Sequence, residues 1–106
     1  YDPNVLEKFM DQISHLNIKI LVGITPLTSG GMAKWMIQNC PGVIIPEYMI
    51  KRLKEAEDKT REGINMMVEV VSKIASTKIA GIHVMVPERP DLVAETVRAI
   101  KAAAKF

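Results

Sequence analysis

The chain has 106 residues, the length of one small domain, and 48% of them are apolar, which is enough to form a core. Its net charge of +2, with acidic and basic residues interleaved, indicates an ordinary solvated surface and argues against a nucleic-acid partner. One cysteine excludes an internal disulfide, and no apolar run reaches the roughly 18 residues that cross a bilayer. We therefore expect a soluble, cytoplasmic protein without a membrane partner.

The first predicted element is an amphipathic helix. Asp2 and Pro3 suit an N-cap and a first helical residue, the usual opening of a helix. Apolar residues then recur at helical spacing until Asn17, where the helix is expected to end. The predicted apolar face consists of Val5, Leu6, Phe9, Ile13 and Leu16.

An apolar run at residues 18–26 is the first predicted strand, and two or three helices are expected after it. The first of these is capped by Thr28 or Ser29 and has a stripe of Ala33, Met36 and Ile37 before a break at residues 40–42.

The next helical segment covers residues 47–56, and a break is expected at residues 58–60. Residues 61–76 then have the strongest amphipathic pattern of the chain. Its apolar face is Ile64, Met67, Val68, Val71, Ile74 and Ala75.

Residues 79–87 are the second predicted strand, and Pro90 opens a last helix. The buried face of that helix is expected to be Leu92, Val93, Val97, Ile100 and Ala104. Each predicted strand has helical sequence on both sides, which is typical of a β-then-α unit in a parallel sheet.

The two faces of each predicted strand differ in composition. One face is branched and apolar in the first strand (Ile18, Ile20, Val22, Ile24) and apolar in the second (Ala80, Ile82, Val84, Val86). The opposite faces are mixed and contain Lys19, Leu21, Gly23 and Thr25, and Gly81, His83 and Met85. A branched face suits packing under helices, whereas a mixed face with glycines suits a barrel interior and leaves room for a ligand.

The sequence therefore predicts an α/β fold that is the C-terminal portion of a (β/α)₈ TIM barrel, with two parallel strands and flanking helices. Parallel sheets carry ligand sites at the carboxyl ends of their strands, so function is expected near Thr25 and at residues 85–89. The sequence contains no zinc motif, P-loop or serine-nucleophile elbow, so no metal site is expected.

Several ordered blocks of this sequence resemble the methylenetetrahydrofolate reductase family. The blocks are Gly23-Ile24-Thr25-Pro26-Leu27-Thr28-Ser29, Pro41-Gly42-Val43-Ile44-Ile45-Pro46, Leu53…Ala56-Glu57-Asp58, Glu62-Gly63-Ile64 and Gly81-Ile82-His83. Tyr1-Asp2 resembles the end of the family's sixth strand. By this resemblance, residues 1–106 are a single partial domain, from the end of strand six through the closing helix of the barrel.

The resemblance implies a parent enzyme with FAD that uses NAD(P)H to reduce methylenetetrahydrofolate, in one-carbon metabolism and methionine biosynthesis. In the family, the catalytic glutamate and nearly all flavin contacts lie on earlier strands. The resemblance thus implies that this chain holds no catalytic residue, binds no cofactor itself and is inactive alone.

The resemblance implies that this chain contributes part of the folate side of the pocket. Arg89 matches a family arginine that contacts folate, and an arginine at a strand mouth is well placed to meet the carboxylates of a glutamate tail. The alternative is that Arg89 is an exposed charge beside a helix start. Met85 stands where some members carry a folate-contacting tyrosine, and its thioether can pack on a flat ring. Thr25 is the next candidate for substrate binding.

For two further sites in the sequence we expect a structural role rather than a functional one. His83 is expected to be a hydrogen-bonded residue of the barrel interior rather than a ligand or proton carrier. Ser29-Gly30-Gly31 is expected to be a plain turn rather than a phosphate cradle.

A second hypothesis from a different class is a non-catalytic remnant or partner-subunit module. The exposed edges of its strands would then pair with the remainder of a barrel or with a second copy of the chain.

Overall fold

The computed structural model describes residues 1–75 and 77–103, which form five helices and one two-stranded sheet. In chain order these are α1 (Pro3–Gln12), β1 (Leu21–Ile24), α2 (Gly30–Asn39), α3 (Glu47–Glu55), α4 (Lys59–Ile74), β2 (Gly81–Val84) and α5 (Pro90–Ala103). The strands pair in parallel, with Leu21 opposite Gly81 and Ile24 opposite Val84. The α/β class and the predicted order of elements are confirmed, with three helices between the strands.

Both strands are shorter than the apolar runs that predicted them. Four residues of each form the ladder, and one hydrogen bond continues the pairing at each end, from Ala80 N to Ile20 O (2.8 Å) and from Met85 N to Ile24 O (3.0 Å). The expectation that Ile18 packs under the helices is wrong, because its side chain is 57% exposed. Ile18 precedes the paired region, so no neighbouring strand fixes its orientation there.

Helix α1 begins as predicted and ends early. The Asp2 carboxylate accepts a hydrogen bond from the Asn4 amide at 2.9 Å, and Pro3 is the first helical residue. The helix stops at Gln12 rather than at Asn17. Its predicted apolar face is not buried as a whole, because α1 packs mainly against α4 and only that side is covered. Val5, Phe9 and Leu16 are exposed.

The cap of α2 resolves one open choice. Ser29 is the N-cap, since its hydroxyl accepts a hydrogen bond from the Met32 amide at 3.0 Å. Of the predicted stripe, Ala33 is buried and Met36 is half-buried, but Ile37 is exposed and that part of the prediction is wrong. The helix ends before the predicted break, in which Gly42 takes a φ of +83°, a conformation that glycine adopts without strain.

The junction between α3 and α4 is tighter than predicted. The predicted break is present, but it lies at residues 56–58 rather than 58–60. Asp58 caps α4 by accepting a 3.1 Å hydrogen bond from the Arg61 amide, and Lys59 is the first helical residue. The Lys59 ammonium donates to the carbonyls of Leu53 (3.0 Å), Lys54 (3.2 Å) and Ala56 (3.1 Å). One cation therefore satisfies three carbonyl groups at the end of α3.

Helix α4 supplies the centre of the core. Its most deeply buried side chains are Ile64, Met66, Met67, Val71 and Ile74. The predicted face is confirmed except at Val68, which is half-buried, and Ala75, which is exposed. On α5, Leu92 and Ile100 are buried as predicted, while Ala104 lies outside the described residues. Helices α4 and α5 pack against each other, and α5 also contacts β2.

Two classes of feature are absent from the described part of the chain. No helix there has the length and apolar character to span a bilayer. The histidine, cysteine and acidic residues within that part form no cluster suited to a metal ion.

Candidate functional site at the carboxyl end of the sheet

The two faces of the sheet are as different in the structure as in the sequence. One face packs against the helical core and consists of Val22, Ile24, Ile82 and Val84. The other face consists of Leu21, Gly23, Gly81 and His83, with Met85 just beyond β2. Leu21 is 65% exposed, so the described residues leave this second face open. The predicted orientation, with branched residues under the helices and glycines on the opposite side, is confirmed.

Each glycine of the open face has one long side chain beside it, although Gly23 itself is exposed. A β-carbon on Gly23 would lie 3.0 Å from the methyl carbon of Met85, and one on Gly81 would lie 3.1 Å from a methyl carbon of Leu21. The tip of Met85, just beyond β2, thus lies beside Gly23, and the tip of Leu21 in β1 lies beside Gly81. The result is a low apolar surface that a flat ring can contact.

Thr25 and Met85 are brought together at the carboxyl end of this sheet. They follow the paired residues Ile24 and Val84, and the Met85 amide is bonded to the Ile24 carbonyl at 3.0 Å. Thr25 is half-buried and Met85 is exposed. We call Thr25, Met85 and Arg89 together the rim.

A small cleft opens beside Thr25. It measures about 190 Å³ and is lined by Tyr1, Gly23, Thr25 and Met36, together with Ile24, Met67 and Val70. The Tyr1 hydroxyl donates to the Thr25 carbonyl at 2.7 Å. A larger cleft of about 480 Å³ lies at the opposite end of the sheet, beside Ile20 and Lys78. Parallel sheets carry their sites at the carboxyl ends, so the smaller cleft is the one in the functional position.

Arg89 is presented by a tight turn between β2 and α5. The Arg89 amide donates to the Val86 carbonyl at 3.2 Å across Pro87 and Glu88. Glu88 has a φ of 61°. A proline followed by a residue with positive φ is typical of a type II turn, in which glycine is the favoured residue at the Glu88 position. The turn is therefore strained at Glu88, directly before the rim arginine.

The Arg89 guanidinium already holds one carboxylate. Its Nε and Nη2 atoms lie 3.2 and 3.1 Å from the two carboxylate oxygens of Asp91, in the first turn of α5. This hydrogen-bonded pair raises the pKa of Arg89 and lowers the pKa of Asp91. Both side chains are exposed, so the geometry is that of a charge beside a helix start with an accessible fork. Its contact with a ligand stays a prediction.

Two other residues predicted from sequence are located as follows. His83 lies exposed on the open face of the sheet, the face that is predicted to line the barrel, so its expected role in a barrel interior stays a prediction. The Ser29 hydroxyl caps α2 by accepting the Met32 hydrogen bond, and Gly30 is buried with its α-carbon beside the Lys54 side chain. The start of α2 is therefore a capped turn, as the sequence favoured.

Sequence reasoning missed two residues of this region. The first is Glu88, the strained residue of the turn before Arg89. Its only sequence signal is its place after Pro87, and a proline followed by a non-glycine residue is compatible with several turn types. Tyr1 gave no local signal, because its hydroxyl bonds to a residue 24 positions away.

Comparison with known proteins identifies one family. The sequence model of the methylenetetrahydrofolate reductase family matches residues 1–101. No curated protein and no solved structure gives a significant match to this chain. The family match covers almost the whole sequence and confirms the resemblance, so the chain belongs to the methylenetetrahydrofolate reductase family.

Proposed function

We propose that this chain is the C-terminal part of a (β/α)₈ barrel in a flavin-dependent methylenetetrahydrofolate reductase. Residues 1–106 would extend from the end of the sixth strand through the closing helix. The chain would contribute part of the folate side of the pocket to a cytoplasmic enzyme of one-carbon metabolism and methionine biosynthesis. Substrate contacts would come from Arg89, Thr25 and Met85, and catalytic residues from the remainder of the protein.

The main support for the proposal is the difference between the two faces of the sheet, in a chain that belongs to this family. The branched face lies under helices and the glycine face is open, as required of two barrel strands whose neighbours and interior lie elsewhere. The carboxyl ends of both strands then border the mouth of the barrel, where the sites of such folds lie.

The chemistry of Arg89 supports the folate side. In its pairing with Asp91 the guanidinium holds a carboxylate through two nitrogen atoms. The glutamate tail of a folate carries carboxylates of the same kind. A ligand carboxylate would compete with Asp91 for the same exposed fork, and the flat pterin would meet the apolar surface at Met85.

The described residues do not fit the phosphates of FAD. At the start of α2, which follows the loop after β1, the Ser29 hydroxyl is bonded to the Met32 amide and Gly30 is buried beside Lys54. FAD and NAD(P)H are therefore assigned to the remainder of the parent enzyme. This chain alone would bind neither and would be inactive.

The test is performed on the complete polypeptide that contains this chain. We expect it to retain FAD, to be yellow, and to oxidise NADH or NADPH in a reaction that consumes methylenetetrahydrofolate. Arg89→Gln should raise KM for the folate by tenfold or more, since hydrogen bonds to charged groups contribute roughly 1.5–3 kcal/mol. Arg98→Gln, which removes an exposed arginine of α5, is the matched control and should leave KM unchanged.

The results that count against the proposal are equally direct. A colourless protein after flavin reconstitution contradicts the reductase assignment. Equal KM values for Arg89→Gln and Arg98→Gln contradict the role of Arg89 and leave the reductase assignment in place.

A second candidate function is a non-catalytic module that assembles through its strands. It is favoured by the exposure of Leu21 and by the sheet itself, in which each strand has one hydrogen-bonded neighbour among the described residues. Open parallel edges recruit another strand, from the remainder of a barrel or from a second copy. Sedimentation of the chain at increasing concentration tests pairing with a second copy, because a chain that pairs in this way sediments as a dimer or larger. A monomer at all concentrations excludes such self-assembly.

A further inference from the structure

Tyr1 makes a long-range contact at the rim residue Thr25. Its hydroxyl donates to the Thr25 carbonyl at 2.7 Å and lies 3.9 Å from the sulfur of Met36 in α2. The same side chain lines the 190 Å³ cleft beside Gly23 and Thr25. One side chain thus joins the segment before α1, the end of β1 and the helix that follows.

Thr25 lies where the backbone has few other means of support. The ladder bond of β2 reaches the preceding carbonyl, that of Ile24, and residue 26 is a proline without an amide hydrogen. Thr25 is also outside the paired residues of β1. A side-chain donor at the Thr25 carbonyl is therefore well placed to fix the direction in which the chain leaves the strand.

The other end of the same segment is fixed independently. Leu27 is fully buried, and its carbonyl lies against the α-carbon of Gly63 in α4. Loss of the Tyr1 hydroxyl would release the segment at Thr25 while Leu27 stays in place. The expected consequence is a local displacement of the rim rather than unfolding.

The Tyr1 phenol is protonated, as a hydrogen-bond donor to the Thr25 carbonyl must be. Burial, with a smaller contribution from nearby Cys40, raises the pKa of the Tyr1 phenol to about 12. The hydroxyl therefore keeps its proton, and can donate it to a carbonyl, at every physiological pH.

We propose that Tyr1 is a positioning residue for substrate binding, which acts by holding the Thr25 carbonyl and with it the first residues of the loop after β1. The proposal rests on the proposed function, because it takes the rim to be the folate side of the pocket. It assigns Tyr1 no contact with the reacting atoms.

The experiment compares Tyr1→Phe with Tyr48→Phe in the complete polypeptide. Phenylalanine retains the ring at position 1 and removes the hydroxyl, and Tyr48 is the other tyrosine, 51% exposed on α3. Binding of 5-methyltetrahydrofolate is measured together with the absorbance of retained flavin and the thermal midpoint. We expect Tyr1→Phe to weaken folate binding about three- to tenfold, the net worth of one hydrogen bond, with flavin content unchanged and KM raised more than kcat is lowered. Tyr48→Phe should change none of these.

A purely structural role gives a different result. If Tyr1→Phe lowers the thermal midpoint while folate binding stays equal to that of the unmodified protein, the proposal is overturned. Parallel loss of flavin and folate, which indicates general damage, overturns it as well.

Amide exchange separates this proposal from the proposed function. Tyr1→Phe should accelerate hydrogen exchange at the Thr25 amide several-fold and leave the amides of α3 unchanged. If the unmodified protein binds neither flavin nor folate, the proposed function fails, and accelerated exchange in Tyr1→Phe still supports rim positioning. Unaltered exchange in that variant overturns Tyr1 as a positioning residue, whatever the protein binds.

Discussion

The α-carbon of Gly63 in α4 packs directly against the carbonyl group of Leu27 in the loop after β1, so closely that a β-carbon at residue 63 would overlap it. This approach lets α4 lie beneath the carboxyl end of the sheet. It explains physically why a glycine stands inside α4, the longest of the described helices, where it costs about 1 kcal/mol relative to alanine.

Gly63→Ala should therefore destabilise the protein. The neighbouring atom is backbone and cannot rotate away, so α4 or the loop must shift, and we expect a loss of about 3 kcal/mol, the upper end for overpacked cores. Gly31→Ala is the control, because its β-carbon would meet the Ser29 hydroxyl at an ordinary 3.8 Å. Denaturant unfolding measures both, and equal stabilities of the two variants would contradict the close approach.

Gly23→Ala should have a local effect instead. The atom that it meets is the tip of the flexible Met85 side chain, which can move, so stability should change by less than about 1 kcal/mol. The methyl signal of Met85 should shift in a spectrum of methyl-labelled methionine. Gly81→Ala faces Leu21 instead and should leave that signal in place; an unshifted signal in Gly23→Ala would argue against contact between Met85 and Gly23.

Glu88→Gly should stabilise the protein. Glu88 has a φ of 61°, which costs an L-residue about 1 kcal/mol or more and glycine very little. Part of the gain is offset by the greater freedom of glycine in the unfolded chain, so we expect a net increase of about 0.5 kcal/mol. Glu88→Ala keeps the positive φ and is the control, and a glycine variant less stable than the alanine variant would show that the turn is unstrained.

Arg52 joins α3 to α4 by two ion pairs. Its Nε lies 2.8 Å from a carboxylate oxygen of Glu62, and its Nη1 lies 2.8 Å from one of Glu69. Since the groups are partly exposed, Arg52→Met should cost about 0.5–1 kcal/mol in low salt and less at molar salt. The Arg61–Glu95 pair, at 3.5 Å, is longer and more exposed, so Arg61→Met should cost nearly nothing. A cost for Arg52→Met that is independent of salt would point to packing rather than charge.

Alkaline pH should weaken the fold through Tyr1. The phenol has a pKa of about 12 in the folded protein and its ordinary value near 10 in the unfolded chain. Above pH 10 the unfolded state loses the proton first, so the stabilisation is complete below pH 10 and is lost progressively towards pH 12. The free energy of unfolding should therefore fall more steeply between pH 10 and 12 than in Tyr1→Phe. Parallel pH profiles for the two proteins would mean that the phenol titrates normally.

The sequence by itself determined the types of the elements, the parallel arrangement of the strands and which face of each strand lies under the helices. These follow from local periodicity and from end signals such as Asp2, Pro3 and Ser29, whose effects reach only a few residues along the chain. The ordered blocks of sequence also determined the family. Strand lengths and the burial of α1 were predicted less well, because they depend on which neighbours are present.

Only the tertiary structure decided which residues support the rim and how. Three contacts there join residues that are 24 or more positions apart in sequence. They are the hydrogen bond from Tyr1 to Thr25, the approach of Gly63 to Leu27 and the contact of Met85 with Gly23. The Lys59 ammonium caps the end of α3, although the local sequence placed Lys59 in a break. Which carbonyl groups it can reach depends on how α3 and α4 meet. Such contacts are set by the packing of whole elements to within an ångström, and hydrophobic periodicity specifies only which side of each element faces inward.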